Sequence, residues 1–268
     1  MGRRYIFANQ KGGVGKTTTA VNVAAAMAAW GFRVLLIDLD PQSNATTSLG
    51  FDPRHASPSI YEVMLELAPA QAAVRGTRWK GLSLLPASPS LAGATVELQA
   101  LPDARARVLR LRERLAPLSD GYDYLLIDAP PSLGLLTLNG LAAADGVIVP
   151  VQCEYLALEG LSQLMQTITM VQRSIHPRLV LRGLVLTMYD RRTVLSRQVA
   201  EEVHRHFPRR LFPLVIPRSV RMSEAPSFGE PGIFYAPRSP AARAYRKLTR
   251  LILLGDGVPE AQLPAEDA

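Results

Sequence analysis

The chain is poor in cysteine, lysine and aromatic residues, and it contains no long apolar run. Its single cysteine, Cys153, excludes an intramolecular disulfide and any thiolate metal site or iron–sulfur cluster built from one chain. That residue reads as a small buried hydrophobe at a strand end. No apolar stretch approaches the ~20 residues that a bilayer-spanning helix needs. No basic, apolar and small-residue leader precedes the first strand-like segment at residues 5–8, so a cytoplasmic location is expected. Aromatic residues make up only 6 % of the chain while hydrophobic residues make up 48 %, so the core must be mainly aliphatic; 268 residues suffice for one sizeable core. Lysine is scarce as well, 4 against 26 arginines, and two of the four lie five residues apart in one glycine-rich segment.

That segment is Asn9-Gln10-Lys11-Gly12-Gly13-Val14-Gly15-Lys16-Thr17-Thr18-Thr19, placed between an apolar stretch and a helical one. Its glycines let consecutive backbone N–H groups converge on one point at a helix N-terminus, which favours an anion. Lys16 supplies a cation for the β and γ phosphates of ATP, and the Thr17 hydroxyl supplies a ligand for the accompanying Mg²⁺. Gly12, Gly13, Val14, Gly15, Lys16, Thr17 and Thr18 are therefore the expected phosphate cradle. Gly15-Lys16-Thr17 is the core of a Walker A motif, with one departure: Gln10 stands where the usual opening glycine would be.

Two further segments end apolar strands in acids. Val34-Leu35-Leu36-Ile37 runs into Asp38-Leu39-Asp40-Pro41, and Tyr124-Leu125-Leu126-Ile127 runs into Asp128-Ala129-Pro130-Pro131. The second has the Walker B pattern, with Asp128 reaching Mg²⁺ through water.

Apolar β-rich runs at 5–8, 34–37, 82–85, 124–127, 147–150, 179–187 and 211–216 alternate with helical patterns at 17–30, 104–115, 156–174, 193–206 and 240–254. This alternation predicts an α/β fold: a doubly wound, mostly parallel sheet with helices on both faces. Ligands in such sheets sit beyond the C-terminal strand ends, where the glycine-rich loop and both acidic segments fall. Residues 1–254 are expected to form one domain. Residues 255–268, acidic and proline-containing, are expected to be a disordered tail.

The formal net charge of +7 is unevenly distributed. Residues 1–172 carry 14 basic and 14 acidic side chains, residues 173–250 carry 16 and 5, and residues 251–268 carry none and 4. A basic surface in the C-terminal third points to a polyanion, nucleic acid first. A general preference for arginine over the whole surface would give the same count.

A second lysine, Lys11, at the mouth of the phosphate loop resembles the deviant Walker A family, which includes the ParA/Soj partition ATPases, MinD, the nitrogenase iron protein and the arsenite-pump ATPases. The scarcity of cysteine counts against the iron–sulfur members. The match to ParA/Soj extends over residues 5–254, including Lys11 to Thr19, Asp38 to Asn44, Asp128 to Asn139, Leu186 to Thr193 and Ile216 to Phe228. The resemblance implies that Lys11 contacts the nucleotide of a second subunit across an ATP-dependent homodimer. It implies that Asp40 positions the attacking water and Asp38 supports the Mg²⁺ shell. Met188, Pro217 and Arg218 would lie at the adenine, and Arg192 and Arg221 would bind non-specific double-stranded DNA on the nucleoid. It further implies a weak ATPase stimulated by the centromere-binding protein ParB.

Three alternatives remain open at this point. A MinD-like membrane ATPase needs an amphipathic C-terminal helix, and Tyr245 to Leu254 is amphipathic and basic, although an acidic stretch follows it. A biosynthetic ligase or amidotransferase would need a second substrate pocket. A non-enzymatic nucleotide-dependent DNA-binding module would not need Asp40 and Asp128.

Overall fold

The computed structural model describes residues 2–154 and 157–265. Among the described residues, eight strands form one sheet: β1 (Arg3–Phe7), β2 (Val34–Asp38), β3 (Arg75–Gly76), β4 (Leu82–Leu85), β5 (Tyr124–Asp128), β6 (Gly146–Gln152), β7 (Val180–Tyr189) and β8 (Leu211–Pro217). Their order is β3-β4-β2-β5-β1-β6-β7-β8. Every pairing is parallel except that of the two-residue edge strand β3 with β4. The doubly wound α/β architecture expected from the alternating pattern is the one observed.

The side-chain alternation of the strands explains why the sheet is covered on both faces. Ile6, Leu35, Ile37, Leu125, Ile127, Val147 and Val149 point to one side, where they meet Leu91, Leu98, Leu111, Leu115, Leu141 and Leu164 from the covering helices. Tyr5, Phe7, Val34, Leu36, Tyr124, Leu126 and Ile148 point to the other, where helices Lys16–Ala29 and Pro240–Gly255 pack. All five residues of β2 and all five of β5 are buried. Helix Lys16–Ala29 buries Ala20, Ala24, Ala25, Ala26 and Ala28, and such small side chains let its axis lie close to the sheet.

Helix Ala104–Leu115 has the expected bounds, and Val194–His206 starts one residue after Thr193, whose side chain caps it. The helix expected over 156–174 is described as Ala157–Ser174, with Leu156 outside the described residues. Cys153 is buried just past β6, and burial pushes its thiol up to about 12.

The acidic tail departs from expectation. Its described part is held against the body of the protein by charge pairing that composition does not reveal. The Asp256 side chain is only 2 % exposed, accepts a hydrogen bond from the Tyr5 hydroxyl at 2.5 Å and lies 3.4 Å from Arg182 Nε. Burial and this bond push Tyr5 up to about 12. Further on, Arg250 donates to Glu260 and to the Pro264 carbonyl, and Leu263 is buried. Residues 266–268 lie outside the described residues.

Candidate functional site

The phosphate loop leaves β1 and enters helix Lys16–Ala29 at the centre of the sheet. Gly13 (φ +74°) and Gly15 (φ +84°) both adopt the left-handed conformation that side chains disfavour. Gly15 caps the helix without any side-chain hydrogen bond, and the first turn contains no acid. Its N–H groups and the positive end of its dipole are therefore available to an anion. Two contacts fix the loop from outside. Thr187 Oγ1, at the end of β7, donates to the Val14 carbonyl at 2.8 Å. Gln10, the departure from the usual motif, is accommodated by Gly160, where an added Cβ would meet Gln10 Nε2 at 3.4 Å.

A cleft of about 370 Å³ opens over this loop, lined by Gly12, Gly13, Gly15 to Thr18, Asp40, Pro131 and Met188 among others. Lys16 is buried, and its Nζ donates to the Lys11 carbonyl at 3.2 Å. Burial pulls its ammonium down, while Asp128 and Asp40 hold it up.

The parallel register sets Asp38 and Asp128 side by side at the ends of β2 and β5, with Phe7 of β1 opposite Asp128. Their surroundings differ. Asp38 Oδ2 accepts from the Thr46 N–H at 2.8 Å and the Thr46 hydroxyl at 2.7 Å, and its Oδ1 accepts from the Asp40 N–H at 3.2 Å. Burial pushes Asp38 up to about 6 despite these bonds. Its carboxylate anchors the turn and the short helix Asn44–Ser48.

Asp128 is fully buried, and among the described residues neither oxygen meets a donor in full hydrogen-bond geometry, the Thr17 hydroxyl lying nearby. Burial first and Asp38 second raise it well above the usual carboxylate range; the nearby Thr17 hydroxyl and Lys16 pull it back. A buried, oxygen-only, unpartnered carboxylate beside a threonine hydroxyl and a lysine fits a hard divalent cation carried with a phosphate. Asp40 lines the cleft, with Oδ1 accepting from the Gln42 N–H at 3.0 Å in the turn that follows.

The cleft continues into a smaller cavity of about 150 Å³ lined by Gly15, Thr18, Thr187, Met188, Pro217, Arg218 and Tyr245 among others. The sequence-predicted Met188, Pro217 and Arg218 therefore meet at one place beside the loop. Met188 has φ +51°, an unusual conformation for a residue with a side chain. Thr187, Met222 and Ser223 line the same space; they fall within the matched segments 186–193 and 216–228, but no pattern of their own assigns them to it.

Lys11 lies at the rim, its Nζ 3.2 Å from Glu154 Oε2, with the pair about one-third and one-half exposed. Gln152 Nε2 donates to the other oxygen of Glu154 at 2.6 Å. Arg192 and Arg221 stand away from the loop, after β7 and β8. These strands are neighbours, Tyr189 pairs with Pro217, and the Arg218 N–H donates to the Tyr189 carbonyl at 3.1 Å, so the two following loops adjoin. Their arginine side chains are 82 % and 65 % exposed. Arg191, Arg197 and Arg218 make no side-chain hydrogen bond or ion pair with any described residue.

A family model described as "AAA domain" matches residues 3–181. The chromosome partitioning protein ParA of Myxococcus xanthus is 48 % identical over 96 % of this chain and 89 % of its own length. The chromosome-partitioning ATPase Soj of Thermus thermophilus is 51 % identical over 94 % and 95 %. Among solved structures, a Mycobacterium smegmatis protein named cobyrinic acid a,c-diamide synthase, with bound ATP analogue and magnesium, superposes with a TM-score of 0.84. It is 40 % identical and covers 99 % of both chains. With such identity over nearly the whole length, and a phosphate loop, two strand-end acids and an outlying lysine set out as the motifs require, the chain belongs to the ParA/Soj family of chromosome-partitioning ATPases.

Proposed function

We propose that this protein is an ATP-driven switch for DNA partitioning. ATP binds with its phosphates on the N–H groups of Gly12 to Thr18 and on Lys16, and its base beside Met188, Pro217 and Arg218. Thr17 and Asp128, with support from Asp38, would hold Mg²⁺, which would neutralise charge on the phosphates. Asp38 also fixes the turn that carries Asp40, and Asp40 orients the attacking water. The observation that carries this reading is the buried Asp128 carboxylate, unpartnered beside Thr17 and Lys16 at the mouth of an uncapped helix.

ATP-bound chains pair as a homodimer in which each Lys11 leaves Glu154 and reaches the partner's nucleotide. Pairing aligns two sets of Arg192 and Arg221 on non-specific double-stranded DNA. Phosphate contacts of this kind carry no sequence information and add to a salt-dependent term of about −0.9 in log–log slope per contact. A dimer doubles them. Hydrolysis is slow in the isolated dimer; ParB docking accelerates it and releases the dimer, so the ParB-bound centromere moves over the nucleoid in the cytoplasm.

A MinD-like membrane role is disfavoured by the C-terminal helix. Ala241, Ala242, Tyr245, Leu248, Ile252 and Leu253 are buried against helix Lys16–Ala29 and the sheet, so its apolar face is already covered. The diamide-synthase name of one relative describes ATP-dependent amidation, a reaction that would make turnover depend on an amide-nitrogen donor and a carboxylic acid.

The test is co-sedimentation with non-specific duplex DNA, and in parallel with anionic liposomes, in ATP, in ADP and without nucleotide. Salt-sensitive retention on DNA in ATP alone is the expected result. Retention on lipid, or on DNA regardless of nucleotide, would overturn the reading.

A further inference from the structure

The two arginines assigned to DNA are already held by neighbouring acids, Arg192 by one in its loop and Arg221 by one in its own short helix, Val220–Glu224. Arg192 donates from Nε at 2.9 Å to Asp190 Oδ1 and from Nη2 at 2.7 Å to Oδ2, and its backbone N–H binds Oδ1 at 3.0 Å. Arg221 Nη1 donates to Glu224 Oε2 at 3.2 Å, the same oxygen that accepts the Tyr235 hydroxyl at 3.3 Å. The Asp190 side chain is 20 % exposed while that of Arg192 is 82 % exposed, so the acid lies beneath and the guanidinium faces outward.

Geometry decides what these acids do. A guanidinium has five N–H donors in a fixed fork. Asp190 takes the Nε and Nη2 edge of Arg192 and leaves the Nη1 side free for a phosphate. The acid therefore orients the arginine without blocking it, and keeps a negative charge one guanidinium width from any phosphate bound there. Asp190 is also within electrostatic reach of Arg218, so its charge acts on more than one arginine of this surface.

We infer that Asp190 and Glu224 are attenuators of DNA affinity: each holds an arginine ready for a phosphate while subtracting from its attraction, so that one chain alone grips DNA weakly. Two unit charges about 6 Å apart in water repel by just over RT, which is about threefold in affinity at low salt and less when screened. This inference rests on the assignment of Arg192 and Arg221 to DNA.

The experiment is fluorescence anisotropy of the full chain with labelled non-specific duplex, without nucleotide and with ATP, at about 50 and about 200 mM salt. Asp190→Asn keeps an acceptor for the Arg192 N–H, and Glu224→Gln keeps one for Tyr235; melting curves establish that each variant is folded. Each substitution should tighten nucleotide-free binding about threefold at low salt, and the pair together about tenfold, with smaller gains at the higher salt. Arg192→Ala and Arg221→Ala should weaken binding. Unchanged or weaker binding by both acid variants, with the alanine variants weakened, would overturn the inference alone. Alanine variants that bind as wild type does would instead overturn the DNA-contact assignment beneath it.

Discussion

Replacing Asp128 by asparagine should make the nucleotide-free protein more stable and its Mg–ATP complex less so. The carboxyl is fully buried, neither oxygen has a partner in full hydrogen-bond geometry among the described residues, and Asp38 sits beside it on the neighbouring strand. Burial and Asp38 hold it well above the ordinary value of 3.8, so the native state is penalised at every pH above that value. An unsatisfied buried charged group costs on the order of 2 kcal/mol or more, part of which the attraction of Lys16 offsets. Asp128→Asn removes the charge and keeps the shape. In EDTA at pH 7.5 its melting temperature should rise by about 5 °C, taking ~2–4 °C per kcal/mol for a chain of this size. The sign of the pH dependence follows: the gain is present near neutrality and shrinks as pH falls towards about 4, where the unfolded carboxyl also holds its proton. Saturating Mg–ATP should stabilise wild type by about 2.7 kcal/mol at a hundredfold excess over Kd, roughly 8 °C, and the variant by much less. The two melting curves therefore exchange order between EDTA and Mg–ATP. A variant less stable than wild type in EDTA, or one with the full Mg–ATP shift, would refute the reasoning.

Other substitutions separate the steps. Asp40→Ala should lower ATP turnover by at least about 100-fold while ATP-dependent DNA retention persists, measured by phosphate release and co-sedimentation on one preparation. Lys11→Ala should remain a monomer in ATP, as read by light scattering. Glu154→Gln frees Lys11 from a half-exposed ion pair worth at most about 1 kcal/mol; two such pairs break per dimer, so dimerisation should tighten by no more than about thirtyfold. Thr187→Val leaves the Val14 carbonyl without its 2.8 Å donor; a loss of about 1–3 kcal/mol in urea unfolding is expected, with weaker ATP binding in calorimetry.

The parts of this protein that are legible in sequence are those whose chemistry is local. Gly13 and Gly15 announce the left-handed turns, Lys16 follows within one residue, and Asp128 ends a strand apolar enough to be buried on both faces. The alternation of such strands with helices is enough to predict a doubly wound sheet. What escaped depends on contacts between distant segments. Thr187 supports the loop from 173 residues away, and Glu154 holds Lys11 from 143 away. The two-residue strand β3 is too short to carry a periodic signal. Nothing in the strand-end pattern shows that Asp38 anchors Thr46, eight residues on. The tail reads as disordered because it is acidic, yet Tyr5 and Arg182 receive Asp256, and Arg250 receives Glu260. In each case the partner, not the residue, carries the information.

The most direct test of the central claim is the mass of the Asp40→Ala protein in solution, by sedimentation velocity with Mg–ATP and with Mg–ADP. An ATP-driven switch predicts a species of twice the 29.2 kDa chain in ATP and the single chain in ADP. The same mass in both nucleotides would contradict it.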